Sequence, residues 1–256
     1  MSTATRATLF STVVFLAGGI IGTFHHLSFT GMPESVLALG ATCSALEVVP
    51  LVLIGFEAWE NVCLARARGW LTAYRWPMAF FVAVAFWNCV GAGLFGFFIN
   101  PPIALYYMQG LNTTPGHGHT ALFGVYGMLG LGLVLFCLRG LRPGQAWKNW
   151  PLWIAFWAIH VGLALMVLLS LLPIGLRQTW AAVEYGMWYA RSAEFLQTGV
   201  MQTLRWLRVI GDTIFALGAL AFGWFVLGLV TGQAYDRQGF VVAGGAQVHQ
   251  TTDRAQ

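Results

Sequence analysis

Thr113-Thr114-Pro115-Gly116-His117-Gly118-His119-Thr120 opens a long apolar run and places two histidines at the predicted edge of a membrane. Because an α-helix turns about 100° per residue, positions i and i+2 face nearly opposite directions. His117 and His119 therefore cannot bind one metal ion from the same helix, but each could bind a different one. A histidine within a membrane span is energetically costly, so it is by default a functional hypothesis.

A second histidine pair, His25-His26, ends the first apolar run. Adjacent helical residues differ by about 100°, so these two imidazoles could converge on one ion. Imidazole is a common ligand of metal ions and of haem iron. For the two pairs we therefore favour metal or haem binding over packing. His160 is a lone histidine in an apolar run and is more simply a hydrogen-bonded packing residue.

The composition is that of a polytopic membrane protein. Of the 256 residues, 58% are hydrophobic and 9% are charged, and the mean hydropathy is +0.70. No soluble domain needs so much apolar surface. The net charge of +4 comes from arginines in loops and not from a basic stripe, so we predict no nucleic-acid partner. Four cysteines form no CxxC pair and are predicted to be small buried hydrophobes: Cys43, Cys63, Cys89 and Cys137.

The apolar runs predict an all-α transmembrane bundle of about six spans. These spans lie at 9–27, 35–64, 76–99, 117–138, 150–172 and 213–230. Residues 1–232 would then form one transmembrane domain, and we expect the polar tail, 233–256, to be disordered. The first run resembles a signal peptide, but it continues to the histidine pair, so we predict a retained span.

Lysine and arginine are distributed unequally between the two sets of loops. Nine lie in the N-terminus, the second and fourth loops and the tail, and four lie in the opposite set. The positive-inside rule therefore predicts that both termini are cytoplasmic. In that orientation all four histidines of the two pairs lie near the outer face, which supports one shared metal or haem region.

Glu47 lies in the middle of an apolar run. A carboxylate there is costly unless it is paired, protonated or faces water. Glu47 could relay protons, or it could be a protonated carboxyl group that hydrogen-bonds to a neighbouring helix. The residues do not separate the two interpretations. The glycine-rich stretches, such as Gly91-Ala92-Gly93, are most simply close-packing surfaces.

Several motifs resemble the haem–copper oxidase superfamily. They are Gly22-Thr23-Phe24-His25-His26, Phe95-Gly96-Phe97-Phe98-Ile99-Asn100 and His117-Gly118-His119. Further segments are similar to the large subunit of bacterial nitric oxide reductase, and most of all to its single-subunit, quinol-type form: Ser44-Ala45-Leu46-Glu47, Trp188-Tyr189-Ala190-Arg191-Ser192 and Trp206-Leu207-Arg208. The resemblance covers about residues 9–230, with the motifs in the family's order.

The resemblance implies a role for each candidate residue. His25 and His26 would bind non-haem iron. His117 would be the axial ligand of a high-spin haem b, and His119 an axial ligand of a low-spin haem b. Glu47 would be a catalytic glutamate near the active site. The family reduces nitric oxide to nitrous oxide in the bacterial inner membrane, with electrons from quinol or another donor of the respiratory chain, as a step of denitrification.

The chain resembles only the second half of that subunit. It would therefore form half of a core of twelve or more helices. The family's first six helices would carry the other low-spin haem ligand, a third iron histidine and a glutamate ligand. We therefore expect the missing N-terminal half to be a separate chain, and this chain to be inactive without it. Ile210 stands where the family has proline before Gly211-Asp212.

Two other classes of function stay open. The first is an oxygen-reducing terminal oxidase of the same superfamily, because histidine spacing alone does not separate iron from copper. The second is a non-catalytic remnant or a structural membrane subunit that holds no cofactor.

Overall fold

The protein is described here by a computed structural model over residues 3–65, 73–141, 145–241 and 247–249. Most of these residues are helical. The α-helices are Thr3–Gly22, Glu34–Leu46, Val48–Ala65, Arg75–Trp87, Gly96–Ile99, Pro102–Met108, Thr113–Gly118, Met128–Leu141, Trp150–Met166, Leu172–Tyr185, Ala193–Leu196 and Gly199–Thr231. Thr23–Leu27 and Tyr189–Arg191 are 3₁₀ turns, and three segments are π-helical: Asn88–Phe95, His119–Gly127 and Val167–Leu171.

In the described part of the chain, five helices are long and apolar enough to cross a membrane. They are Glu34–Glu57, Arg75–Ile99, Thr113–Leu141, Trp150–Tyr185 and Gly199–Thr231. The prediction of an all-α transmembrane bundle is therefore confirmed. The first predicted span, 9–27, corresponds to a shorter apolar helix, Thr12–Leu27, which tightens into a 3₁₀ turn at its end.

Two spans extend far beyond the predicted apolar runs, the fifth at its end and the last at its start. The fifth continues from 172 to Tyr185, and the last begins at Gly199 instead of 213. Pro173 should interrupt the fifth helix because proline lacks an N–H group. The π-helical segment Val167–Leu171 comes just before it, and the proline lies in the first turn of the helix that follows, where the N–H is not needed.

The last two spans pack through glycines, which have no side chain to keep the backbones apart. A Cβ atom at Gly162 would lie 2.7 Å from Phe215 Cα, and one at Gly218 would lie 2.7 Å from Ile159 N. A Cβ atom at Gly91 would lie 2.6 Å from the carbonyl carbon of Thr120 in the neighbouring span. Gly91 belongs to a glycine-rich stretch predicted to pack closely, and its contact agrees with that prediction, whereas Gly162 and Gly218 were not singled out from the sequence.

Adding a methyl group at these contacts should separate the two spans. We expect Gly162→Ala or Gly218→Ala to destabilise the bundle by about 3 kcal/mol, because the atoms in the way are backbone atoms that cannot rotate aside. Thermal unfolding in detergent measures the loss. Gly223→Ala is the matched control, since Gly223 faces open space in the same helix. Alanine there should stabilise the helix by roughly 0.5–1 kcal/mol. Equal effects at Gly218 and Gly223 would contradict this packing.

Two described segments of the predicted polar tail, 233–256, form β-strands. Tyr235–Val241 pairs with Gln145–Trp147 on one side and with Gln247–His249 on the other, both antiparallel. Trp147 is buried and contacts the ring of Phe225 at 5.2 Å between centroids. The tail strand Tyr235–Val241 therefore pairs with a strand that is itself packed on the last span, a pairing that local polarity does not reveal.

The four cysteines are free, and their predicted burial is wrong. Cys63 and Cys137 are exposed, and Cys43 and Cys89 are half-buried. A thiol behaves as a small hydrophobe, so the outer face of a membrane bundle accommodates it as well as the interior does.

Candidate haem and metal site

His25 and His26 lie together in the 3₁₀ turn Thr23–Leu27. Their ring centroids are 4.0 Å apart, and the ring planes are inclined by 35°. His25 is buried, whereas His26 is exposed. The Nδ1 atom of His25 contacts the Gly22 carbonyl oxygen, which fixes the orientation of the ring. The two imidazoles are therefore adjacent in space, as expected for neighbouring residues of a tight turn.

His117 approaches this pair from the span Thr113–Leu141. It lies close enough to both His25 and His26 for their charges to interact. Its Nδ1 donates to the Gly91 carbonyl oxygen at 2.8 Å. A Cβ atom at Gly96 would lie 3.3 Å from His117 Cε1. Two glycines of the neighbouring span thus provide the hydrogen-bond acceptor and the space for this ring.

His119 points to a different neighbour, as expected for residues two apart in a helix. Its Nδ1 donates to the Pro115 carbonyl oxygen at 2.7 Å. Its Nε2 lies 3.4 Å from Nη2 of Arg208, which belongs to the last span. Arg208 also pairs with Asp212 at 3.1 Å. His117 thus lies within range of charge interaction with His25 and His26, whereas the side chain of His119 contacts Pro115 and Arg208.

The hydrogen bonds determine the tautomer of His117 and of His119. A carbonyl oxygen can only accept, so Nδ1 of His117 and of His119 carries the proton. The Nε2 atom of each neutral ring then holds the lone pair, which a metal ion requires. Outer-shell carbonyl contacts of this kind orient metal-binding histidines in general. The rings are thus suited to haem iron, although binding at His119 would require the Arg208 guanidinium to move.

Glu47 lies between the helices Glu34–Leu46 and Val48–Ala65 and faces glycines of the first helix. A Cβ atom added at Gly18 would lie 3.6 Å from Glu47 Oε1. The corresponding distances for Gly19 and Gly22 are 3.5 Å and 3.2 Å. The carboxyl group therefore lies about one helical turn from the 3₁₀ segment that carries His25 and His26. That segment begins directly after Gly22.

A polar contact links the other motif residues. The side-chain amide of Asn100 donates to Ser44 Oγ at 2.8 Å. A Cβ atom at Gly96 would lie 3.7 Å from the same amide nitrogen. Ser44 and Asn100 thus connect the helix Glu34–Leu46, which ends directly before Glu47, to the segment beside His117. Sequence reasoning noted these residues as motif members but did not predict that they touch.

The remaining histidines lie apart from this site. His160 donates from Nδ1 to the Phe156 carbonyl oxygen at 2.6 Å and packs on the Phe156 ring at 4.2 Å between centroids. This agrees with the prediction of a packing residue. His249 belongs to the strand Gln247–His249. Within the residues that the structure describes, no three His, Cys, Asp or Glu side chains are grouped so that they could hold a metal ion.

Arg191 was named in the sequence only as a motif member, and the structure shows that it connects two loops. Its guanidinium donates to the Met187 carbonyl oxygen at 2.8 Å and to the Gln109 carbonyl oxygen from the other terminal nitrogen. Burial lowers the pKa of this guanidinium, but arginine remains charged at neutral pH. Arg191 therefore holds the loop before Thr113 against the loop before Gly199.

Loss of this guanidinium should loosen both loops. We expect Arg191→Gln to cost about 3 kcal/mol, because a hydrogen bond to a charged group contributes roughly 1.5–3 kcal/mol and two are lost. Arg191→Lys should rescue little, since an ammonium group lacks the planar fork. Limited proteolysis around Gln109 and thermal unfolding measure the effect. Arg205→Gln is the control, because Arg205 is exposed and makes one long contact, to the Leu196 carbonyl at 3.3 Å. Similar results for both arginines would contradict this role.

Comparisons with known proteins identify the family of the chain. The family model for cytochrome c and quinol oxidase polypeptide I matches residues 2–214. A nitric oxide reductase subunit of Stutzerimonas stutzeri is 29% identical over 217 residues, which are 81% of this chain and 44% of that protein. The chain therefore spans less than half the length of this relative. Because the family match extends over most of the sequence and includes all the candidate residues, the chain belongs to the cytochrome c and quinol oxidase polypeptide I family.

Proposed function

We propose that the chain is the C-terminal half of the catalytic subunit of a quinol-type nitric oxide reductase. It would reduce nitric oxide to nitrous oxide with two haems b and a non-haem iron. The observation that carries the proposal is that His117 lies close enough to the adjacent pair His25 and His26 for their charges to interact, whereas His119 contacts Arg208. The similarity to a nitric oxide reductase subunit supports this reaction within the family.

Each histidine would have one defined role. His117 would hold the high-spin haem and His119 the low-spin haem, each through Nε2. His25 and His26 would hold the non-haem iron. When bound, these groups would supply electron transfer and the binding of nitric oxide. The backbone carbonyls of Gly91 and Pro115 keep the two haem-binding rings in the required form and orientation.

The histidine pair alone leaves the iron under-coordinated. We propose that the remaining ligands come from the N-terminal half of the subunit, as a partner of this chain. The relative's greater length supports this, because less than half of it is matched. The same half would cover His26, which is exposed in this chain.

Glu47 would deliver protons to the reaction. Reduction of nitric oxide consumes two protons, which must cross an apolar region. The Glu47 carboxyl group lies next to Gly22, at the start of the turn that carries the iron histidines. The distribution of arginines supports cytoplasmic termini in a bacterial inner membrane, with the site near the outer face.

The function can be tested by co-expressing this chain with the N-terminal half of a related enzyme. The purified complex is given a quinol analogue, and nitric oxide is followed with an electrode while nitrous oxide is measured. Consumption of nitric oxide with matching formation of nitrous oxide supports the proposal. A complex that carries haem and iron but leaves nitric oxide unchanged contradicts it.

An oxygen-reducing terminal oxidase is the second candidate, because the matching family model includes cytochrome c and quinol oxidases. The same complex should then take up oxygen with quinol and should contain copper. Metal analysis and an oxygen electrode therefore distinguish the two reactions in one preparation.

A further inference from the structure

Arg139 is a charged side chain buried far from the histidines. Only 4% of it is exposed, and it lies near the end of the span Thr113–Leu141. Its guanidinium lies over the ring of Trp147, with Cζ 3.7 Å from the ring centroid. Buried charges are normally paired with an opposite charge, because an unpaired ion loses its hydration without compensation.

Within the described part of the chain, the groups around Arg139 supply no negative charge. The groups that interact with it electrostatically are the phenols Tyr74 and Tyr235 and a second cation, Arg75. No carboxylate of a described residue is among them. Arg75 and Arg139 therefore interact with no carboxylate of the described residues between them, and like charges at short range repel.

Hydrogen-bond donors also outnumber acceptors at this place. One terminal nitrogen of Arg139 donates to the Gln145 carbonyl oxygen at 2.6 Å. Arg139 Nε and Trp147 Nε1 are buried and have no partner among the described residues. Buried donors of native proteins nearly always have an acceptor, so each exception needs an explanation. The excess of donors and of positive charge indicates a missing anion.

The position fits the phosphate level of a membrane. Arg75 is exposed and begins the span Arg75–Ile99, so both arginines lie where spans leave the apolar layer. Trp76 and Trp150 begin spans at the same end, as aromatic residues do at membrane interfaces. Basic pockets between helices at this level bind lipid headgroups.

We propose that Arg75, Arg139 and the indole N–H of Trp147 form a binding site for a phosphate oxyanion at this end of the bundle. An anionic phospholipid or inorganic phosphate could carry the group. The exposed Arg75 receives the anion first. The phosphate then faces the buried guanidinium, whose planar fork matches two phosphate oxygens.

The test uses the whole chain in a detergent that contains no phosphate, with thermal unfolding as the readout. Dioctanoyl phosphatidylglycerol is titrated in one arm, inorganic phosphate in the second and dioctanoylglycerol in the third. We expect phosphatidylglycerol to raise the unfolding temperature in a saturable manner and dioctanoylglycerol to have no effect. Saturation by inorganic phosphate as well would identify the phosphate group alone as the ligand, whereas its failure would identify the lipid.

Variants assign the effect to the site. Arg75→Gln keeps the buried contact between Arg139 and the Trp147 ring, and it should weaken binding at least tenfold. Trp147→Phe keeps the aromatic ring but removes the N–H, and it should weaken binding severalfold. Arg177→Gln is the control, because Arg177 is exposed near the end of a different span. No saturable shift in the unaltered chain, or the same affinity in Arg75→Gln as in Arg177→Gln, would overturn the proposal.

Discussion

Replacement of His117 by alanine is expected to remove the high-spin haem from the complex with the N-terminal half. The imidazole is the only group of this chain proposed to bind that haem iron, and its ring is already oriented by the Gly91 carbonyl oxygen. Loss of a group that only orients a metal ligand costs about 10–100-fold in affinity, so loss of the ligand itself should cost more. The reduced-minus-oxidised visible spectrum and iron analysis of the purified complex measure the change.

His160→Ala is the matched control for this experiment. His160 also lies in an apolar span and also donates from Nδ1 to a carbonyl oxygen, but it packs against Phe156. Its replacement should leave the haem spectrum unchanged. Loss of haem in both variants would indicate a general folding defect. Full haem content in His117→Ala would contradict the assigned ligand.

The parts of the site that follow from helix geometry were predictable. The opposed directions of His117 and His119 depend only on the 100° turn of a helix. The proximity of His25 to His26 depends only on their being adjacent. The shared membrane depth of the two pairs followed from the order of the spans. The helical bundle itself followed from the length of the apolar runs.

The contacts between spans were not predictable, because they depend on which helix faces which. Nothing local indicates that Arg208 lies against His119, or that the Gly91 carbonyl oxygen accepts from His117. The glycines around Glu47 were recognised only as small residues. Their specific fit to that carboxyl group is a property of the packed bundle.

Helix lengths were misjudged for a related reason. Apolar runs mark where a helix meets lipid, and not where its hydrogen bonds end. The fifth span continues past Pro173 after a π-helical segment, and the last span begins in a polar stretch at Gly199. Both extensions lie against other parts of the protein. Buried Gln178 of the first accepts from the Asn112 N–H at 2.9 Å, and Met201 of the second is buried in a core cluster with Ile174.

Glu47→Gln should lower the rate of nitric oxide reduction by about 100-fold or more, because a positioned proton-transfer group contributes typically 10²–10⁴-fold. Glutamine has the same shape and can hydrogen-bond, but it cannot carry the proton. Haem content and the visible spectrum should stay unchanged, which separates proton delivery from folding. Steady-state nitric oxide consumption by the co-expressed complex is the measurement. Glu34→Gln, at the exposed start of the same span, should have no effect.

This variant also decides between the two interpretations that the sequence left open for Glu47. If the residue were only a protonated carboxyl group that bonds to a neighbouring helix, glutamine would replace it and turnover would be preserved. Gly22→Ala gives an independent test, since the new methyl group would lie 3.2 Å from Glu47 Oε1 and displace the carboxyl group without removing it. Proton delivery depends on position, so this variant should lose activity in part. Full activity in both variants would leave Glu47 a packing residue.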